Sequence, residues 1–238
     1  MTKKLFPAIV IPTYNEKNNI ANLIKDIRKY VSKALVIIVD DNSPDNTAAV
    51  IQKLTKTDKK TKLIKRQKKL GRGSAVIAGF KLALKNNKIT HFIEMDADFS
   101  HNPKELKSLI QTCQKSDIVI ASRYLKQSQI INWPIERKAF SFLANTYAKI
   151  ILQVPITDYT NGYRCYSRKT LELININQLK ETGYALLMEM AYVIHRHNLS
   201  ITQTPTTFVN RRRGQSNTTL KEILNALNAP LRIRLRHA

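Results

Sequence analysis

The chain has 238 residues, 43% of them hydrophobic, and carries 40 Lys+Arg against 17 Asp+Glu for a formal net charge of +23. That length and apolar share can bury a full core, expected as one domain of α/β size. Cys113 and Cys165 provide neither a disulfide framework nor metal-ligand spacing, which fits a reducing cytoplasm, and neither a signal-peptide segment nor the ~20-residue apolar run of a membrane span is found.

Strand and helix patterns alternate through the first half. Residues 8–12 read as a short buried strand, and 18–30 as a helix with Ile20, Leu23, Ile24 and Ile27 at helical spacing. A second strand over 35–39 ends at Asp40-Asp41, and Asp45 or Asn46 is placed to cap a helix through Leu54. Leu63-Ile64 starts a third strand, and Gly71-Arg72-Gly73-Ser74 opens a helix through Leu84. A fourth strand covers 91–95, a helix 103–114 and a fifth strand 117–122. This order predicts a mostly parallel sheet with helices on both faces, whose ligands sit at the carboxyl ends of the strands. The second half is less regular. Residues 126–137 read as a loop, 138–152 as an amphipathic helix, 158–164 as a polar turn, 184–197 as a helix, 200–208 as extended and 210–216 as a basic loop. A last helix starts near Thr219, with Leu220, Ile223, Leu224 and Leu227 on one face, and Pro230 should break or bend it. The regular alternation ends near residue 125, so the single domain reads as two halves, about 5–125 and 126–238.

Three polar clusters fall on the strand ends: Pro12-Thr13-Tyr14-Asn15-Glu16, Asp40-Asp41 and Asp96-Ala97-Asp98. Carboxylates at i and i+2 of a strand end point to one side, so Asp96 and Asp98 can share a divalent ion completed by phosphate and water. Asp40 and Asp41 offer only acceptors, which suits a base edge or ribose hydroxyls, while a turn-capping role fits equally. Tyr14 and Glu16 line the same edge or lead into the first helix. The glycines around Arg72 allow close approach of a diphosphate to a helix N-terminus, or simply a tight turn. Arg123, Arg137 and the loop Arg211-Arg212-Arg213-Gly214 carry guanidinium groups suited to phosphate oxygens. Between Lys53 and Arg72 lie ten basic residues and one acid, Asp58. The basic excess fits a solvated surface or an anionic membrane surface. No nucleic-acid partner is expected, because aromatics are not interleaved with the basic run.

Together, Pro12-Thr13-Tyr14-Asn15-Glu16, Val39-Asp40-Asp41-Asn42-Ser43-Pro44-Asp45, Met95-Asp96-Ala97-Asp98, Ser122-Arg123-Tyr124 and Arg213-Gly214-Gln215-Ser216 resemble, in order and spacing, the family 2 inverting glycosyltransferases. The nearest branch in appearance is the polyprenyl-phosphate (dolichol-phosphate) mannosyltransferases, on Asn132-Trp133-Pro134 with Arg137 and on Arg213-Gly214-Gln215-Ser216. The resemblance implies a nucleotide-sugar-binding, Rossmann-like fold of the GT-A type with C-terminal amphipathic helices. It implies a nucleotide-sugar site of Pro12, Tyr14, Glu16, Val39, Asp40, Asp41, Asp96 and Ala97, and Mg2+ or Mn2+ held by Asp98 with Asp96. Arg123, Arg137, Arg211 and Arg213 would bind the acceptor phosphate, and Asp98, Arg123 and Arg213 would carry catalysis. The chain departs from the pattern at Ser100, where Gln is frequent, at Asn161, where Ser is frequent, and at Asn217, where Lys is frequent. With no transmembrane hairpin at its C-terminus it resembles the short members, which dock peripherally.

The activity implied is transfer of a hexose, mannose foremost, from GDP-mannose to a polyprenyl monophosphate at the cytoplasmic face of a membrane. The alternatives are a UDP-sugar transferase of the same fold, with a lipid-phosphate or saccharide acceptor, and a non-catalytic basic membrane or nucleic-acid binder. A hydroxyl acceptor needs a general base, and Glu189 is expected to be structural.

Overall fold

A computed structural model describes residues 5–210 and 220–237, the side chains of 220–224 excepted. Arg211, Arg213 and Asn217 lie outside the described residues. The first half follows the expected alternation: β1 (Pro7–Thr13), α1 (Ile20–Tyr30), β2 (Leu35–Asp40), α2 (Thr47–Thr57), β3 (Thr61–Lys65), α3 (Arg72–Leu84), β4 (His91–Glu94), a 3₁₀ turn (Pro103–Glu105), α4 (Leu106–Cys113) and β5 (Ile118–Ser122). Asp45 is the residue that closes the start of α2, its Oδ1 accepting from the Thr47 N–H at 2.9 Å. The second half adds β6 (Gln129–Ile131), α5 (Ile135–Leu152), β7 (Arg164–Ser167), α6 (Arg168–Leu173), α7 (Ala185–Arg196), β8 (Ile201–Pro205), β9 (Thr207–Val209) and α8 (Leu220–Arg236).

Seven strands form one sheet in the order β3-β2-β1-β4-β7-β5-β8, and β6 pairs with β9 in a separate ribbon. β7 is antiparallel to both neighbours, whereas the other pairs in the sheet are parallel. β1 and β2 are apolar along nearly their whole length because both faces of the sheet are covered there. Successive residues of β1 alternate between the two cores: Ala8 and Val10 pack with Phe80, Phe92 and α7, while Ile9 and Ile11 pack with α1 and α4. Close approach of α3 to β1 depends on Gly79, since a Cβ there would sit 2.9 Å from Val10 Cγ2.

Four expectations for the second half are corrected. The loop expected over 126–137 contains β6, and α5 begins at Ile135 rather than at Lys138. The polar turn over 158–164 ends inside a strand, because Arg164 pairs with both Glu94 and Ile120 across the sheet. α6 follows immediately, its start capped by Ser167 accepting from the Thr170 N–H. Pro230 does not break α8; it is buried within a helix that continues to Arg236. Tertiary bonds hold that turn: Arg232 donates to Glu181 at 2.6 Å and to Asn225 Oδ1 at 2.8 Å, and Arg236 donates to Glu189 at 2.9 Å. Glu189 also accepts the N–H groups of Lys180 and Glu181, which fits the structural role expected of it.

The basic run divides by residue type. Its eight lysines are exposed, whereas Arg66 and Arg72 turn inward to carboxylates.

Candidate active site

The carboxyl ends of β1, β2 and β4 converge on a cleft of about 130 Å³ lined by Pro12, Tyr14, Glu16, Asp41, Lys69, Gly71, Arg72, Asp96, Ala97, Asp98 and Tyr184, among others. The loops behind β1 and β2 are tied to each other. Asn15 N–H donates to Ser43 Oγ at 3.0 Å, Glu16 N–H to Thr47 Oγ1 at 2.9 Å and Lys17 N–H to Asp45 Oδ2 at 3.0 Å. Asn15 and Asn42 take the left-handed turns these loops need, with φ of 63° and 56°.

The two adjacent acids of β2 separate in role. Asp40 is fully buried and accepts from Thr13 Oγ1 at 3.1 Å, from Ser43 N–H at 3.0 Å and from Ser43 Oγ at 2.6 Å. It braces the loop and, like the buried Val39, does not line the cleft. Asp41 does line it, paired with Arg66 and accepting from the N–H groups of Leu70 and Gly71. Lys69 sits over the Tyr14 ring, 4.1 Å from its centroid, at the same edge.

Beyond β4, Phe99 adopts φ 61° and the chain turns back so that Ser100 N–H donates to Asp98 Oδ1 at 3.0 Å. Left-handed backbone is uncommon for a bulky residue and is found where a site over-determines it. Asp96 is oriented from two sides. Its backbone N–H donates to His101 Nδ1 at 3.0 Å, and its Oδ1 accepts from Arg72 Nε at 3.0 Å. Because Nδ1 accepts, the His101 proton is placed on Nε2, which donates to Asn161 Oδ1 at 2.8 Å. The 3.8 Å approach of that Nε2 to Asp96 is therefore no ion pair. Arg72 also meets the fully buried Glu94 at 3.1 Å. Burial alone would favour a neutral Arg72, but Asp96 and then Glu94 outweigh it and keep it protonated.

Asp96 and Asp98 form a donor set suited to a hard divalent ion: two carboxylates opening onto one cleft. Among the described residues no cluster of three or more His, Cys, Asp or Glu is placed to hold a metal, so further positions would fall to diphosphate and water.

A second cavity, of about 380 Å³, adjoins the first and shares Asp96 and Tyr184 with it. Its walls include Arg123, Trp133, Arg137, Phe140, Tyr147, Met188, Phe208 and Leu227. Arg123, at the end of β5, is locked by the fully buried Asp158: Nε donates at 2.7 Å, Nη2 at 2.7 Å and the backbone N–H at 3.0 Å. Burial would raise the Asp158 carboxyl, yet Arg123 and these hydrogen bonds hold it below the ordinary value. Arg137 lies 4.1 Å over the Trp133 ring and donates to Asn210 Oδ1 at 3.1 Å. Arg123 approaches the other side of this aromatic group, 5.3 Å from Trp133 and 5.3 Å from Phe208. Two guanidinium groups thus stand at the head of a largely apolar cavity.

The structure brings Pro12, Tyr14, Glu16, Asp41, Asp96, Ala97 and Asp98 to one cleft and Arg123 and Arg137 to its neighbour. It brings Arg72 of the glycine-flanked segment into the cleft as well, and it adds Asp158, Tyr184 and Phe208, which carry no local sequence signal for a site. The Arg123–Asp158 pair spans 35 positions and arises only from packing.

The profile of the family described as "Glycosyl transferase family 2" matches residues 8–174. A polyprenol monophosphomannose synthase of Mycolicibacterium smegmatis is 34% identical over 92% of this chain and 83% of its own length. An undecaprenyl-phosphate mannosyltransferase of Micrococcus luteus is 35% identical over 87% of this chain and 85% of its own. Glucosyl-3-phosphoglycerate synthase from Mycobacterium tuberculosis, crystallised with Mn2+, UDP and glucosyl-3-phosphoglycerate, superposes with a TM-score of 0.66 at 17% identity, over 98% of this chain and 80% of that one. That likeness assigns the fold, the GT-A type.

Proposed function

The chain belongs to glycosyl transferase family 2 and is a glycosyltransferase, and from that premise we propose that it transfers mannose from GDP-mannose to a polyprenyl monophosphate at the cytoplasmic face of a membrane. The observation that carries this reading is the junction of two unlike cavities at Asp96 and Tyr184. One is polar, with an acid pair suited to a metal-bound diphosphate. The other is apolar, headed by Arg123 and Arg137, and suits a phosphate carried on a hydrocarbon chain. The relatives' names supply the sugar and the lipid class.

In this reading Tyr14, Glu16 and Asp41 face the nucleoside and Asp96 the ribose or sugar. Pro12 and Ala97 contribute walls, while Asp40 and Val39 support the loop from behind. Asp98, with Asp96 beside it, would hold Mg2+ or Mn2+, which supplies charge compensation for the leaving diphosphate when bound. Arg123 and Arg137, with Arg211 and Arg213 beyond the described residues, hold the acceptor phosphate. One anionic oxygen of that phosphate forms the new bond to the anomeric carbon. The bond from that carbon to the diphosphate oxygen breaks, and its electron pair leaves with the nucleoside diphosphate. No proton need be removed from an ionised phosphate, so positioning and exclusion of water matter more than a general base. A single in-line displacement inverts the anomeric centre.

The outer face of α5 fits the source of such an acceptor. Ile135, Phe142, Leu143 and Ile150 are exposed there, and Leu231 and Leu235 of the adjoining α8 extend the patch. No helix of the described residues is long and apolar enough to cross a membrane. We assign this face to the membrane surface, where exposed lysines add attraction to anionic lipid. The decisive experiment is calorimetric titration with GDP-mannose, with UDP-sugars as controls, in Mn2+ and then in EDTA. Metal-dependent binding selective for GDP-mannose is expected. Selectivity for a UDP-sugar would replace the donor, and the absence of any nucleotide binding would overturn the reading.

A further inference from the structure

The reacting bond has to lie where the two cavities meet, because the anomeric carbon hangs from a diphosphate in one and is attacked by a phosphate from the other. Among the described residues only Asp96 and Tyr184 line both. Tyr184 is half-buried and stands at the start of α7, a helix whose residues 185–194 are all buried. Arg72 approaches its ring from the donor cleft, the guanidinium carbon 5.9 Å from the ring centroid. On the other side it shares the walls of the acceptor cavity with Arg123, Met188 and Leu227. The chain around Tyr184 is held at three points. Before it, Glu189 accepts the N–H groups of Lys180 and Glu181 at 2.9 and 2.8 Å. After it, the fully buried Arg164 donates to the Leu187 carbonyl at 2.7 Å. Next to it, Gly183 takes a left-handed turn, φ 56°, and packs on Gly73 of α3, where an added Cβ would stand 3.0 Å from Gly183 N and 3.1 Å from Leu186 Cδ2. The second glycine of the Gly71-Arg72-Gly73-Ser74 segment thus serves the close approach of α3 to α7.

We propose that the Tyr184 ring is the platform for the transferred sugar and decides which nucleophile reaches the anomeric carbon, admitting the acceptor phosphate and excluding water. Hydrolysis and transfer break the same bond. In hydrolysis a water oxygen bonds to the anomeric carbon and the bond to the diphosphate oxygen breaks. The electron pair leaves with the nucleoside diphosphate, and the water proton passes to solvent. Transfer differs in the attacking oxygen, so an enzyme that hands a sugar to a scarce lipid phosphate has to close the reacting carbon to water. The other wall shared by both cavities, Asp96, is a carboxylate and attracts water. Tyr184 is the aromatic surface at the junction. Its ring offers an apolar face to the C–H side of a hexose, and its hydroxyl can hydrogen-bond a sugar oxygen at the edge. A ring whose backbone is fixed on both sides keeps the sugar at attack geometry without ordering a loop on binding. The inference deepens the donor and acceptor reading above and rests on it.

The test is incubation of radiolabelled GDP-mannose with a polyprenyl phosphate in detergent micelles, counting free mannose and lipid-linked mannose from the same reaction. Wild type should yield chiefly lipid-linked mannose. Tyr184→Ala should lower transfer about 10²-fold, the scale of a misplaced reacting group, and raise the ratio of free to lipid-linked mannose about tenfold or more. GDP, which carries no sugar, should bind this variant as it binds wild type, measured by calorimetry. Tyr184→Phe restores the ring and should bring the ratio back toward wild type. Gly73→Ala presses on the Gly183 turn without altering Tyr184 and should raise the ratio in the same direction. It stands in if Tyr184→Ala does not fold, as judged by circular dichroism. A merely structural role would lower transfer and hydrolysis together and leave the ratio unchanged, and that result overturns the inference while the transferase reading stands. A ratio in Tyr184→Phe as high as in Tyr184→Ala overturns the role of the ring, and so does a wild type that already hydrolyses more than it transfers. If wild type neither transfers nor hydrolyses GDP-mannose, the donor reading fails and the inference falls with it.

Discussion

The proposed donor cleft and the proposed acceptor cavity draw on different parts of the fold. The donor cleft is made at the ends of β1, β2 and β4, where each strand delivers a short polar segment to one edge of a parallel sheet. Some of its groups are steadied by near neighbours, as Ser100 holds Asp98 and Ser43 holds Asp40, whereas Asp41 and Asp96 are held from farther along the chain by Gly71 and Arg72. The acceptor cavity collects Arg123 from β5, Trp133 and Arg137 from the start of α5, Phe208 from β9 and Leu227 from α8. Its cohesion is long-range, through Arg123 with Asp158 and Arg137 with Asn210. Asp96 and Tyr184 are the only described residues given to both linings. On this proposal the edge of the parallel sheet takes the nucleotide, and elements added around the sheet take the acceptor.

Substitutions should separate the two sites. The largest effect on turnover is expected at Asp98. Asp98→Ala should lower mannosyl transfer by about 10³-fold or more and remove the metal response of GDP-mannose binding, measured by radiolabel transfer and calorimetry. Near-normal activity would refute the metal assignment. The largest effect on stability is expected at Asp158. Asp158→Asn leaves Arg123 buried without its charge partner and should cost about 3–5 kcal/mol in urea unfolding. The pH dependence follows the same pair. The folded Asp158 carboxyl lies below its ordinary 3.8, so its stabilisation is fully present above that value and disappears as the pH falls through the lower folded value. The stability gap between wild type and Asp158→Asn should therefore narrow toward strong acid.

A smaller and more selective change is expected on the acceptor side. Arg137→Lys keeps the charge but loses the planar stack on Trp133. It should raise KM for the polyprenyl phosphate about tenfold while leaving the dissociation constant of GDP-mannose unchanged. Equal loss for both substrates would show that the two cavities are not energetically separate. The smallest effect concerns the outer face of α5. Leu143→Asp should weaken sedimentation with anionic vesicles a few-fold, by about 1 kcal/mol, and leave donor binding intact. Vesicle binding that ignores both this substitution and salt would remove the membrane assignment from α5.

The sequence determined the parallel half of the fold because its information there is local. β1 and β2 read as continuous apolar runs, α1 shows its buried face at Ile20, Leu23, Ile24 and Ile27, and the polar segments at their ends announce an edge site. It also pointed to Pro12, Tyr14, Glu16, Asp41, Asp96, Ala97 and Asp98 on that edge, but it included the buried Val39 and Asp40 and missed Lys69 and Tyr184. Two adjacent carboxylates on a strand end point in opposite directions, and only the positions of Thr13, Ser43 and Arg66 decide which one faces the cleft. The tertiary structure alone decided the rest. β7 is four residues long and is defined by pairing with β4 and β5 rather than by its own pattern. Pro230 stays helical because Glu181 and Glu189 tether the residues that follow it. Arg72, one basic residue among ten in its stretch, turns inward because Glu94 and Asp96 are brought to it across more than twenty positions of chain. Periodicity records which face of an element is buried; it carries no record of which distant charge will be buried beside it.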